Sequence, residues 1–227
     1  MSYNCKWLHE QIRSKPLMRY PFNLADLPRN GIYFFYENSE LWSHGGEELR
    51  IVRIGTHKSN NFQSRINEHF LINDRWMDFN SNRPAPKDRS IFRKNLGRAI
   101  INIENPKYLK IWDIDFTSRK NQEEYAHLRN ILYEKEIESR ITNLLRDSFS
   151  FRFLEVEKEE ERIGQKGLES RLIGTVTNCP DCKPSERWLG RSSPIKKIRN
   201  SGLWQVQHLR SSPITDIDKR FILSITK

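Results

Sequence analysis

Five side chains stand where regular secondary structure could gather them: Tyr33, Arg53, Arg65, His69 and Glu169. Tyr33 closes the run Gly31-Ile32-Tyr33, Arg53 opens Arg53-Ile54-Gly55, and Arg65 and His69 follow four residues apart. A guanidinium grips phosphate through paired donors, and a carboxylate can hold a divalent cation. Hydrolysis of a phosphate ester needs a base that activates water, positive charge against the charge that develops, and a stabiliser for the leaving oxygen. These residue types cover all three.

The surrounding pattern supplies elements to position them. Gly31 to Tyr36 is β-branched and aromatic after the turn chemistry of Leu27-Pro28-Arg29-Asn30, and reads as a strand. Leu49 to Gly55 reads as a second, with a polar loop between (37–48, containing Gly45-Gly46) too short for a crossover helix, so the two pair antiparallel. Apolar residues at alternating and adjacent positions predict a sheet covered on both faces. Side chains alternate along a strand, so Tyr33 and Arg53 can share a face. Phe62 to Leu71 reads as a helix, with Phe62, Ile66 and Phe70 on one stripe and Arg65 and His69 on its neighbour.

Further helices are expected over Ser90 to Ile103, Glu123 to Arg146 and Lys158 to Thr175, and strands over Tyr108 to Phe116, Ser150 to Val156 and Ser201 to Leu209; Asn80 to Arg89 reads as a loop. Glu169 shares a helical face with Leu172 and Ile173. A carboxylate among core-facing residues is costly unless a cation or hydrogen bonds compensate it. That makes Glu169 the metal candidate, with a buried salt bridge as the plain alternative and Glu138 as a poorer rival.

The chain has 227 residues and a formal net charge of +10, which points to a polyanionic partner, nucleic acid foremost. Arg89, Arg93, Lys94 and Arg98 recur at near-helical spacing; Arg187, Arg191, Lys196, Lys197 and Arg199 cluster around Trp188. Of these, Arg93, Lys94, Lys196 and Lys197, with Lys58, are read as nucleic-acid contacts, either cluster being equally readable as a solvated face. Trp188 and Trp204 read as buried residues or as stacking wedges. No apolar run is long enough to span a bilayer, and Met1 to Glu10 lacks a signal-peptide core, which reads as cytoplasmic. Cys179-Pro180-Asp181-Cys182 offers two thiols, but with no second CxxC or HxxxH to complete four ligands, no zinc is expected.

In this order the motifs resemble those of the GIY-YIG nucleases. The resemblance covers residues 27–71 well and 150–178 loosely. It leaves 72–149 as a helical insertion and 179–227 as a C-terminal elaboration of a single domain, in the style of the restriction-type members. It implies an α+β fold with a small antiparallel sheet flanked by helices. It also implies an endonuclease that hydrolyses DNA with Mg2+ or another divalent cation. Tyr33 would help activate the attacking water, Arg65 would hold the scissile phosphate, and His69 would move a proton or position Tyr33. Glu169 would hold the metal and Asn178 would frame the site. His57 and Lys58 are secondary candidates at the strand end. Arg53 replaces the family's second tyrosine. It is read as a phosphate contact, as a cation beside the Tyr33 phenol, or as a sign of lost activity. A silent nucleic-acid-binding protein, an RNA-acting nuclease and a zinc-stabilised interaction module are the rival readings.

Overall fold

The computed structural model describes residues 2–43, 47–58, 60–165 and 167–226; Gly45-Gly46 lie outside them. Four strands form one antiparallel sheet: β1 (Met18–Arg19), β2 (Gly31–Leu41), β3 (Leu49–Gly55) and β4 (Phe149–Glu155), in the order β1-β4-β2-β3. The principal helices are α1 (Ser2–Arg13), α2 (Phe62–Phe70), α3 (Ile91–Glu104), α4 (Ile131–Ser148), α5 (Leu168–Thr177), α6 (Lys196–Ser201) and α7 (Asp216–Ile225). This is the expected α+β architecture.

β2 is the central strand, pairing Tyr33 with Gly55 on β3 and with Phe153 on β4. Tyr33, Phe35, Phe151 and Phe153 face one cluster, built with Phe62, Ile66 and Phe70 of α2, Phe92 and Leu96 of α3, and Ile137, Ile141 and Leu145 of α4. Ile32, Phe34, Tyr36 and Leu154 face the other, against Leu8 and Ile12 of α1, Leu168, Leu172 and Ile173 of α5, and Ile222 of α7. The register slips twice between β2 and β3, first where Phe35 opposes Arg53 but Tyr36 opposes Ile51, and again before Leu41 opposes Leu49. Val52 is thus a bulged extra residue, which lets Ile51 and Ile54 face the second cluster while Val52 joins the first.

Elsewhere the local pattern misled. Tyr108 to Phe116 forms helical turns (Leu109–Trp112 the longest), because its apolar residues Tyr108, Trp112 and Phe116 fall at i, i+4, i+8 and are buried. The long helix expected over Glu123 to Arg146 is divided: Arg119–Tyr125 and a 3-10 turn at Ala126–Leu128 precede α4, which starts at Ile131, where Asn130 caps it by accepting from Tyr133 N–H at 3.1 Å. The one expected over 158–175 divides into Glu159–Arg162 and α5, with Gly164 at φ 96° between them. Pro86–Arg89 forms a helical turn inside the expected loop. Residues 201–209 do not form a strand; they lie along the edge of β3, where Trp204 N–H donates to Val52 O at 2.8 Å.

Arg93 and Lys94 require a correction. Arg93 is wholly buried, its guanidinium donating to Glu138 Oε2 at 2.8 and 3.0 Å, to the Glu138 carbonyl and to Thr142 Oγ1. Lys94 is also buried and donates to Asp113 O at 2.8 Å. Helical spacing marks a face without saying whether it points outward. Neither residue is placed to meet nucleic acid. Glu138 also accepts from Lys87 N–H at 2.6 Å, so it anchors helices rather than a metal. Removing one partner of a buried ion pair strands the other, at a cost of about 3–5 kcal/mol. Glu138→Gln should therefore lower the unfolding free energy by about that amount in urea titration, against near-neutral effect for the exposed Lys196→Gln.

Candidate active site

The two glycines of the strand motifs are fixed by close approach. A Cβ on Gly55 would lie 2.3 Å from Tyr33 Oη, so the phenol lies directly across the Gly55 backbone. A Cβ on Gly31 would lie 2.6 Å from Leu154 O and 3.2 Å from the Phe62 ring. Only glycine leaves room at either place.

Around Tyr33 stand the α2 side chains. The His69 and Tyr33 rings meet edge to face at 5.9 Å. His69 is fully buried; its Nδ1 pairs with Ser90 Oγ at 2.9 Å, and among the described residues its Nε2 has no hydrogen-bond partner. Burial, then the cations of Arg65, Arg53 and Arg93, hold this imidazole well below its ordinary 6.5, so it is neutral at neutral pH. Arg65 is partly exposed and donates to Glu68 Oε2 at 2.8 Å and to Arg89 O at 3.1 Å. Burial opposes its charge, but the Tyr33 phenol and Glu68 more than offset this and raise it above its ordinary value.

Glu169 enters from the other side of the β3 edge, in the first turn of α5, where a helix N-terminus favours negative charge. Its Oε1 accepts from Thr56 N–H at 3.2 Å, one residue beyond Gly55. Burial raises its carboxyl, while His208, Arg53, the Thr56 N–H and Arg162 pull in the opposite direction. His208, held at φ 59°, is a neighbour that sequence reading missed; no motif marks it, because it reaches the site from the C-terminal stretch. Asn178 sits at the far end of the same helix, donating to Gly174 O and Ser211 O, and does not frame the site.

Arg53 shares the Tyr33 face of the sheet, but only 6% of it is exposed. Its Nη1 donates to Trp204 O at 2.5 Å and its guanidinium lies 5.1 Å from the Phe92 ring centre. A group so enclosed is not a phosphate clamp; it acts as a fixed charge on His69 and Glu169. His57 is corrected too. Its Nε2 accepts from Gly31 N–H at 3.2 Å and its Nδ1 pairs with the Lys58 carbonyl, so both nitrogens are committed to structure. Arg162 closes that knot through Thr56 Oγ1, His57 O and Asn30 Oδ1. Lys58 is exposed beside it.

A GIY-YIG domain family model matches residues 5–225. The chain belongs to the GIY-YIG family. No curated protein and no solved structure matches it significantly. The family is one of nucleases, and the match spans the helices between β3 and β4 and the C-terminal stretch as well as the motif-bearing strands. Among the described residues no helix is long and apolar enough to cross a membrane.

A cavity of about 890 Å³ is lined by His208 together with Arg171, Lys197 and Arg210. Lys196 and Lys197 are exposed on α6, whereas Arg191 and Arg199 spend donors on the backbone carbonyls of Ser185 and Ser193. Trp188 and Trp204 are buried, their indole N–H groups both aimed at Glu37, so neither is a wedge for bases.

The neutrality of His69 has a stability consequence. Below pH 6.5 the unfolded chain takes up a proton on this residue that the folded chain refuses, and stability is lost until pH reaches the depressed folded value. The slope is about 1.4 kcal/mol per pH unit for one proton. Burial pushes Glu37 up to about 7, which works in the opposite sense over the same range, so a variant comparison isolates His69. His69→Gln should lose less stability than wild type between pH 6.5 and 5 in chemical denaturation. Parallel curves would mean that His69 protonates freely in the folded protein.

Proposed function

We propose that this protein is a metal-dependent endonuclease that hydrolyses DNA phosphodiester bonds at the C-terminal end of β3. The observation that carries the reading is the meeting, within two consecutive residues, of the Tyr33 phenol over Gly55 and the Glu169 carboxylate on Thr56 N–H. Arg65 and the neutral His69 flank the phenol. Proton handling, phosphate binding and cation binding thus lie at one strand end.

The donor set fits a hard divalent cation. Glu169 is half-buried at a helix N-terminus, with one carboxylate oxygen on a backbone N–H and the other, among the described residues, without a hydrogen bond. Among the described residues no group of three His, Cys, Asp or Glu ligand atoms forms around it. Magnesium suits such a place, because it binds through one or two carboxylates plus phosphate oxygens and water. When bound, the ion supplies charge neutralisation at the phosphate.

Arg65 holds the phosphate from the open side of the site, where part of its guanidinium is exposed. The Tyr33 hydroxyl, pinned over Gly55, orients the attacking water. With Nδ1–H donating to Ser90 Oγ, His69 is left to accept a proton at Nε2, and its surrounding arginines keep that atom free of one beforehand. His208, Arg53 and the Thr56 N–H favour the ionised form of Glu169 against the burial that raises it. Lys58, Lys196, Lys197 and Arg210 guide the backbone of the duplex, a contact that positions without reading sequence.

Glu169→Gln preserves shape but removes the charge that holds the ion. Cleavage of supercoiled plasmid in Mg2+ should fall at least about 100-fold, while retardation of the same DNA on a gel changes little. Equal cleavage would remove Glu169 from the site, and RNA cut in preference to DNA would overturn the substrate. Arg53→Met removes a cation that favours the neutral form of His69 and the ionised form of Glu169. Both effects push the acid limb of the cleavage pH profile to higher pH, with DNA affinity nearly unchanged. A loss of affinity at every pH would instead make Arg53 a phosphate contact.

A further inference from the structure

The premise that Cys179 and Cys182 lack partners fails in the folded chain. Cys5 and His9, one helical turn apart on α1, meet the turn that follows α5, and Cys5, Cys179 and Cys182 form one buried cluster with Trp42. All four candidate ligands are enclosed, none more than 5% exposed. Three thiols and an imidazole in one dry pocket are a poor hydrophobic core and a good soft-metal site.

The spacing decides the kind of metal. Cys5 Sγ lies 3.4 Å from Cys182 Sγ and 3.6 Å from His9 Nδ1, and the ligand atoms of Cys5, His9 and Cys182 all lie within 4.8 Å of one another. With Zn–S near 2.3 Å and Zn–N near 2.05 Å, the edges of a tetrahedron are about 3.8 Å between sulfurs and about 3.6 Å from sulfur to nitrogen. The two separations from Cys5 Sγ are close to those edges, and Cys179 supplies a third thiol from the same buried cluster. They are far beyond the roughly 2.05 Å of a disulfide.

We propose that Cys5, His9, Cys179 and Cys182 form a structural zinc site that fastens α1 to the start of the C-terminal stretch. Binding releases the three thiol protons, leaving three thiolates and a neutral imidazole around the ion. Ligation through His9 Nδ1 also moves the ring proton, which now faces the Cys5 carbonyl at 2.9 Å, to Nε2. The long 3.3 Å contact from Ile51 N–H to Nε2 must then give way. The imidazole is otherwise already set, stacked on Trp42 at 4.7 Å and 6°.

The site is separate from the proposed nuclease centre but bears on how that centre is built. Just beyond Cys182, Ser185 binds Glu40 through its N–H and hydroxyl, Trp188 binds Glu37, and the chain then delivers Trp204 O to Arg53. A zinc ion would hold this run at its origin, closing a loop between residues 177 positions apart.

The test is metal content of the reduced full-length protein, with cobalt replacing zinc as a spectroscopic probe. One zinc per chain is expected, and the cobalt form should show thiolate-to-metal charge transfer with the intense visible bands of a tetrahedral centre. Removing the ion with a chelator should lower the melting temperature. Cys5→Ser and Cys182→Ser should each lose the ion, and His9→Gln should lose it to chelator faster and shift the cobalt bands. Should these variants not fold, the wild-type cobalt spectrum alone decides. Metal-free protein with three titratable thiols, a Cys5–Cys182 disulfide by mass, or octahedral cobalt would overturn the site. An unchanged spectrum in His9→Gln would overturn the ligand set. Plasmid cleavage is not a readout here, so failure of this proposal and failure of the nuclease reading remain distinguishable.

Discussion

A guanidinium cannot be deprotonated to escape burial, so each one taken into the interior must have its donors met or its charge answered. This fold takes in five: Arg50, Arg53, Arg93, Arg129 and Arg162 are all at most 8% exposed. Each ties segments that are distant in sequence. Arg50 joins Glu40 to Gly202 O, Arg93 joins α3 to α4, Arg129 joins Glu134 to the carbonyls of residues 80, 81 and 83, and Arg162 joins Asn30 to Thr56 and His57. Five of the chain's 39 lysines and arginines are therefore internal scaffolding and not available to a polyanion.

The same constraint sets the electrostatics of the candidate site. Arg93 also donates to His69 O at 3.0 Å, holding the residue whose ring it helps keep neutral. Arg53, anchored on Trp204 O, is a charge that cannot swing away. A fixed cation between an imidazole and a carboxylate favours the neutral form of the first and the ionised form of the second. Where the family pattern has a tyrosine, this chain has gained electrostatic bias and given up a hydroxyl.

Trp204 thereby couples the edge of β3 to the C-terminal stretch. Its N–H occupies Val52 O, its carbonyl holds Arg53, and its indole, like that of Trp188, points at Glu37. An open strand edge would otherwise present unpaired backbone groups. Residues 203–208 thus cover the edge and bring His208 toward Glu169. What looks like a peripheral extension is a wall of the site.

The sequence by itself determined the parts governed by short-range periodicity. Alternation in 31–36 and 53–55 gave the residues that share a face with Tyr33, though the Val52 bulge reverses it for Ile51 and Val52, and the four-residue spacing of Arg65 and His69 gave their joint projection from α2. Gly31 and Gly55 were recognisable as motif letters, though the reason they must be glycine, the Leu154 carbonyl and the Tyr33 phenol, exists only in the assembled sheet. Tertiary structure alone decided the rest. Arg93 and Lys196 look equally basic in the chain, but one is buried against Glu138 and the other is exposed, because periodicity gives a face without its direction. His57 looked available until Gly31 N–H and the Lys58 carbonyl claimed both its nitrogens. Cys5 and His9 were an unremarked pair until packing of α1 against the end of α5 set them beside Cys179 and Cys182. Local pattern reports what a few consecutive residues prefer; which distant groups share a dry pocket is settled by how the two faces of β2 are covered.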